Sequence, residues 1–358
     1  MSTALRPADT RSAQALTATP RSAFAELSMT NARELLRDGK TMFFILFFPL
    51  FFLALFWFLA NTVDADSPQP VVAVAASAES AQLVTQLEDA GFTASELATG
   101  QTTDEATAIV TVEGAEAQVL LSVDKQPQWR GLVDAIAATG IAKSSISAGY
   151  SDGSAVFDPL RTSLASIVMV SFLTLALLGT AVPVVALRGK GTLRLLGTTP
   201  LRRTTFIAAQ TPSRFLLGVG QLALVVIVTA AFGYLTPAAM PRLLVTALLG
   251  LAMLFAIGYL IGARAANAEA ATTIVSLLIP IALMLSGSVI PLQVFPPQVV
   301  AVIEWLPTTV LANALSVDLV GDASAANIPV AWALMAGVTI VAAVLATALF
   351  RWDQGERR

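Results

Sequence analysis

The chain has 358 residues, of which 56% are hydrophobic and 13% charged, with a mean hydropathy of +0.74 and a formal net charge of −3. A soluble domain carries about 25% charged residues, so this composition is that of a membrane protein. The sequence has no cysteine and no histidine. That excludes disulfides, thiolate metal sites, catalytic thiols and every Ser-His-Asp arrangement, so neither an enzyme nor a metal centre is expected.

Residues 1–22, rich in Ala, Thr, Ser and Arg, read as a disordered cytoplasmic tail. No apolar run of signal-peptide type precedes Thr41, so no cleaved leader is expected. Residues 23–40 end in the stretch Ala32–Lys40, amphipathic with Leu35 and Leu36 apolar and Arg33, Glu34, Arg37 and Asp38 polar. Crossing a hydrocarbon core takes roughly 20 apolar helical residues. Six stretches meet that length: 41–60, 164–187, 215–235, 243–263, 271–291 and 329–350.

Charge orients them. Arg33, Arg37 and Lys40 precede the first span, and residues 188–214 carry Arg188, Lys190, Arg194, Arg202, Arg203 and Arg214 with no acid. The tail 351–358 adds Arg351, Arg357 and Arg358. The positive-inside rule places all three segments, and hence both termini, in the cytoplasm. Residues 61–161 are the opposite, with 14 Asp and Glu against Lys125, Arg130, Lys143 and Arg161, a net of −10. They are expected outside the cell as a small extracellular α/β domain inserted between spans one and two. Pro70–Ala75, Ala108–Val112 and Gln118–Val123 read as strands, and Ser80–Ala90 and Gln128–Thr139 as helices. The acidity solvates a surface, or else serves a cationic cargo or partner. Trp57 and Trp332 at outer span ends and Trp352 at an inner end suit the headgroup layers.

Within 188–214, Leu193 and Leu196 share one face of a short helix bounded by Gly191 and Gly197, with Arg194 beside them. Thr199 followed by Pro200 reads as a hydroxyl N-cap and first-turn proline opening the helix of span three. Retention of a basic loop by topology alone accounts for the charge equally well.

The stretch also resembles the loop after the second span in permease subunits of ABC-2-type ATP-binding-cassette exporters, which runs R-E-x-x-G-T-L-x-x-L-x-x-T-P-L-x-R. The matching residues are Arg188, Gly191, Thr192, Leu193, Leu196, Thr199, Pro200, Leu201 and Arg203. The family's acids are missing: Gly189 and Lys190 stand before Gly-Thr, and Arg194 follows Leu193. Ala32–Lys40 is similar to the family's elbow helix. Leu285–Pro297 (LSGSVIPLQVFPP) and Val299–Pro307 are similar to its S-G-x-x-x-P segment and re-entrant external helices before the last span.

The resemblance implies a polytopic α-helical membrane protein with six transmembrane helices, acting as half of a transporter. A second permease copy, as homodimer or related heterodimer, would complete the pathway within membrane lipid. A separate ABC ATPase subunit, in two copies, would hold the ATP and Mg, since this chain is expected to bind no cofactor and no nucleic acid. Coupling to that ATPase would fall on Arg33, Glu34, Arg37, Arg188, Gly191, Thr192, Leu193, Arg194, Leu196, Thr199 and Pro200. The sequence agrees on one point: it contains no G-x-x-x-x-G-K-[ST], and Gly189-Lys190 is followed by Gly191.

The spans carry almost nothing ionisable, which argues against proton coupling or an ion channel and suits a hydrophobic or amphipathic substrate. Gln221, Ser286 and Ser288 fit either pathway lining or hydrogen bonding between helices. Pro291 and Pro307, with Gly287, break helices at the outer face and mark a candidate outer gate, with Glu304 and Trp305 at the gate or simply at the interface. Residues 292–328 are expected as the extracellular re-entrant segment. The competing reading is a membrane-anchored sensor or scaffold whose external domain binds a ligand.

Overall fold

The computed structural model describes residues 20–37, 39–65, 67–77, 80–97, 106–125, 127–154, 156, 158–199, 201–265, 267–286, 294–321 and 325–350. Two hydrophobic cores divide them. A smaller one unites strands and two helices between residues 72 and 136, and a larger one joins the long apolar helices.

The smaller core belongs to an α/β unit. Strands β1 (Val71–Ala75), β2 (Thr93–Leu97), β3 (Ala108–Glu113), β4 (Glu116–Leu121) and β5 (Ile146–Tyr150) form one sheet in the order β2-β1-β3-β4-β5. Only β3 and β4 pair antiparallel. The register aligns Val74, Val110 and Val119 in one row and Val72, Ala108 and Leu121 in the next. Because side chains alternate across a strand, these residues share a face, and all six are buried. Helices α3 (Ser80–Asp89) and α4 (Arg130–Ala138) cover it with Leu83, Leu87, Leu132 and Ile136. The three strands and two helices expected from sequence are present. The additional strands, β2 and β5, are the two edges of the sheet.

The larger core is built on helices. They are α1 (Pro20–Arg37), α2 (Gly39–Ala65), α5 (Pro159–Ala176), α6 (Val182–Gly189), α7 (Thr192–Gly197), α8 (Arg203–Ala231), α9 (Met240–Arg264), α10 (Ala268–Leu285), α11 (Pro297–Ile303), α12 (Pro307–Leu319) and α13 (Ile328–Leu349). Among the described residues, four helical stretches are long and apolar enough to cross a membrane: Pro159–Gly189, Arg203–Ala231, Pro237–Arg264 and Ile328–Leu349. The bent pair α11 and α12, at 84°, makes a fifth if counted as one span. The apolar helices Pro49–Thr62 and Glu269–Leu285 are shorter.

Pro159–Gly189 is the central rod, buried over most of its length and apolar all round, the pattern of a helix surrounded by other helices. Between α5 and α6 it passes through a π-helical turn, Leu177–Ala181. Glycines let the neighbours approach closely. A methyl group at Gly258 on α9 would collide with the Ala176 carbonyl beside that turn, and one at Gly250 would collide with Leu311 of α12. Gly218 of α8 likewise receives Leu251 of α9, so the small residues of these spans serve packing within the chain.

Asp158 joins the two cores. Its carboxylate caps α5 by accepting from the backbone N–H of Leu160 (3.0 Å) and Arg161 (3.1 Å), with Pro159 in the first turn. It also pairs with Arg130 of α4, and its other oxygen accepts from the Tyr234 hydroxyl at 2.7 Å. Burial, and then the Asp158 charge, push the Tyr234 hydroxyl above its usual value, which keeps it a donor. Removing one partner of a buried ion pair costs roughly 3–5 kcal/mol. Because Arg130 still reaches water, with 17% of its side chain exposed, Asp158→Ala is expected to destabilise the solubilised protein by about 3 kcal/mol. Asp158→Asn, which keeps the acceptor for the cap, should recover part of that. Denaturant titration of the purified protein measures both.

Candidate functional site

The helices alternate between two ends of the bundle. Asp158 marks the end that carries the α/β unit. The rod then runs through α5 and α6 to Gly189, and α8 returns to Tyr234 beside Asp158. The opposite end gathers α1, α7 and the first turns of α8, and it is there that the coupling residues expected from sequence come together. The Asn31 amide of α1 donates to the Ala209 carbonyl of α8 at 3.4 Å, which lays α1 along that helix. Arg33 and Arg37 are exposed on α1, while the side chain of Glu34 lies outside the described residues.

The short helix α7 is held by one residue and shows the rest. Gly191 precedes it with φ of +75°, a left-handed conformation that suits glycine and turns the chain sharply out of α6. Leu193 is fully buried in the large core and Leu196 is packed against it. Thr192 is half-buried, and Arg194 is exposed. Leu195, which the sequence pattern did not single out, is 71% exposed on the same outward surface. The expected amphipathic face, Leu193 with Leu196, is therefore present. The expected helix start is not: α8 begins at Arg203 after Arg202, and the Thr199 hydroxyl donates back to the Leu196 carbonyl at 2.6 Å, closing α7 instead. Pro200 lies outside the described residues.

Arg188 turns inward. Its guanidinium donates to the carbonyls of Ala265 (3.1 Å), Gly262 (3.2 Å) and Ala263 (3.4 Å), the last turn of α9, and lies over the Phe350 ring. A cation there satisfies carbonyls the helix leaves unpaired and complements the negative end of its dipole. Arg188 thus fixes where α6 ends, and α7 is presented from that fixed point.

Arg214, counted with the basic loop in the sequence, instead sits inside the apolar helix α8 and is buried. Its Nε donates to the Gly179 carbonyl in the π-turn and its Nη1 to the Gln210 carbonyl at 2.8 Å. Its neighbour Tyr259 of α9 contacts the Thr211 hydroxyl at 3.3 Å. A buried guanidinium thus sits where the central rod leaves the α-helical ladder. The signal was the helix period: 210, 214 and 221 lie on one stripe of α8, and all three residues are buried.

The candidate gate residues divide. Gln221 is buried within α8. Ser286 is buried, donates to the Leu283 carbonyl at 2.6 Å and accepts from the Ser166 hydroxyl at 2.9 Å, which ties α10 to α5. Glu304 and Trp305 are exposed at the 84° break before α12, and Pro307 opens α12. Gly287, Ser288 and Pro291 lie outside the described residues. Trp332 donates to the Thr246 hydroxyl at 2.9 Å, joining α13 to α9.

Arg188→Ala is expected to lower stability by about 2 kcal/mol through loss of the α9 cap. Arg188→Lys should restore only part of it, because a single ammonium cannot fork across three carbonyls. Thermal unfolding of the solubilised variants provides the measurement.

Comparison with curated proteins returns no match. The family model described as ABC-2 family transporter protein matches residues 40–348, from the start of α2 to the end of α13. Members of that family are membrane subunits that work with an ABC ATPase. Matched over most of its length, this chain belongs to the ABC-2 transporter family and is a permease subunit of an ABC transporter.

Proposed function

We propose that this permease is the export pathway subunit of an ATP-driven transporter for a hydrophobic or amphipathic substrate. Two copies form the pathway and two copies of the ATPase drive it, the ATP and Mg being held entirely in the ATPase. On this reading α2, the α5–α6 rod, α8, α9, α10 and α13 are six spans, with α11 and α12 as a re-entrant pair. The α10 helix, at 18 residues, is close to the roughly 20 that a bilayer core needs. The cation-rich end with α1 and α7 faces the cytoplasm, where the positive-inside rule puts it, and the acidic α/β unit faces outward.

The observation that carries this reading is the form of α7. It is a short helix with a buried anchor, Leu193, and an outward apolar knob, Leu195, beside exposed Arg194. It follows a rod whose end is clamped by Arg188 and leads within a few residues into α8. A partner that presses on such a helix moves α6 and α8 as rigid bodies. Arg33 and Arg37 on α1 lie at the same end and extend the docking surface. The apolar and weakly polar lining residues, Gln221 and Ser286 among them, suit a lipid-like cargo. Opening around residues 287–307 at the other end completes the cycle.

Co-expression with its ATPase tests the proposal. Leu195→Asp is expected to reduce co-purification of the ATPase and substrate-stimulated hydrolysis by about tenfold, the scale of one lost apolar anchor, without shifting the unfolding midpoint of the permease alone. Undiminished, ATP-dependent export after replacement of residues 191–197 by a Gly/Ser linker would overturn it.

A further inference from the structure

Between the α/β unit and the bundle lies a cavity of about 210 Å³. Its walls come from α4 and β5 on one side and from the starts of α5 and α9, the turn after α8 and the end of α12 on the other. Charge is sorted by depth around it. The two carboxylates that line it are sequestered, Asp158 with 5% of its side chain exposed and Asp318 with none. Both are already engaged: Asp158 by the α5 cap, Arg130 and Tyr234, and Asp318 by Arg242, whose Nε and Nη2 reach the same oxygen at 2.9 and 2.7 Å.

The cations stand in front of them. Arg242 keeps 46% of its side chain exposed, and Lys143 keeps 36% while pairing at the rim with Asp134. Arg161 is different again. Its guanidinium lies over the Tyr234 ring at 5.5 Å, and among the described residues no carboxylate is within ion-pair distance of it. Four cations, Arg130, Lys143, Arg161 and Arg242, thus face three carboxylates, Asp134, Asp158 and Asp318, and the charge left over is that of Arg161.

We infer that this cavity is a binding site for a phosphate group of net negative charge, with Arg161 as its principal ligand and Arg242 and Lys143 at its edge. Guanidinium groups match phosphate oxygens with paired N–H donors. The buried acids hold Arg130 and Arg242 in place without presenting negative charge to the ligand. Trp129 and Tyr234 supply an aromatic wall of the kind found at the headgroup layer. The cavity sits where the stretches Pro159–Gly189 and Pro237–Arg264 begin and Arg203–Ala231 ends. That is the depth at which a lipid phosphate lies, and it is also open to a soluble phosphate. The lipid source rests on the membrane reading above, whereas the phosphate chemistry and the site itself do not depend on the coupling role of α7.

The test uses the full-length permease with Trp fluorescence as readout, since Trp129 lines the cavity. One arm titrates inorganic phosphate into delipidated protein in neutral detergent, against chloride at matched ionic strength. The other compares nanodiscs of phosphatidylcholine with nanodiscs containing phosphatidylglycerol. A saturable change in the first arm assigns the site to soluble phosphate. A change confined to phosphatidylglycerol assigns it to an anionic lipid headgroup. In either case Arg161→Gln is expected to weaken binding by about tenfold or more and Arg161→Lys to retain most of it. If Arg161→Gln does not fold, Lys143→Gln, at the exposed rim, decides, with a several-fold weakening expected. Saturation by neither probe, or an Arg161→Gln or Lys143→Gln protein that binds like the parent, overturns the inference.

Discussion

A backbone carbonyl that leaves the α-helical ladder inside an apolar bundle must find a donor, and there is no water to supply one. This requirement organises the structure. The π-turn at Leu177–Ala181 meets it with Arg214 from α8. The last turn of α9 meets it with Arg188 from α6. The mirror requirement, an acceptor for free N–H groups at a helix start, is met at α5 by Asp158. In each case the group that satisfies the backbone also joins two segments. The cost of burying charge is offset by hydrogen bonds that nothing else in the bundle could make.

These three residues divide the molecule functionally as well. Asp158 binds the α/β unit to the bundle through Arg130 and Tyr234, so displacement of one is felt at the head of the central rod. Arg188 and Arg214 fix the other end and the middle. A rigid rod held at three points suits a subunit that receives mechanical work at one end and uses it at the other. The packing agrees, since α9 approaches the rod through Gly258 and Gly262, where even a methyl group would crowd Ala176 or Ala181.

The readable parts of the sequence were those in which local pattern and final environment agree. Strands β1, β3 and β4 are apolar runs in the middle of the sheet, and their burial follows from composition. Strands β2 (TASEL) and β5 (ISAGY) are edges, with polar or small residues that no core position requires, and only pairing with a neighbour makes them strands. Leu193 and Leu196 were legible as one helical face, whereas the exposure of Leu195 depends on how α7 leans on the bundle. Arg188 and Arg214 were read as loop charge because charge next to an apolar run usually marks its end. Both are inside, because distant carbonyls on α9 and in the π-turn need them. Thr199 followed by Pro200 looked like a helix opening, but the hydroxyl found a nearer carbonyl behind it.

The π-turn has a consequence for how this chain tolerates change in length. One inserted residue in an α-helix rotates everything after it by ~100°, and a π-turn is the mark of such an insertion absorbed without breaking the rod. Upstream of Leu177 the helix is buried on all sides, so rotation there would expose little that is new. Downstream it would matter: Val184, Val185 and Arg188 are buried in the present register. A homologous chain shorter by one residue between 177 and 181 would carry nearly the same composition, yet its guanidinium would swing away from α9 and a different stripe of α6 would face the core. The register of the exposed helix α7, and with it the surface offered to another subunit, is therefore set by a single supernumerary residue ten positions upstream.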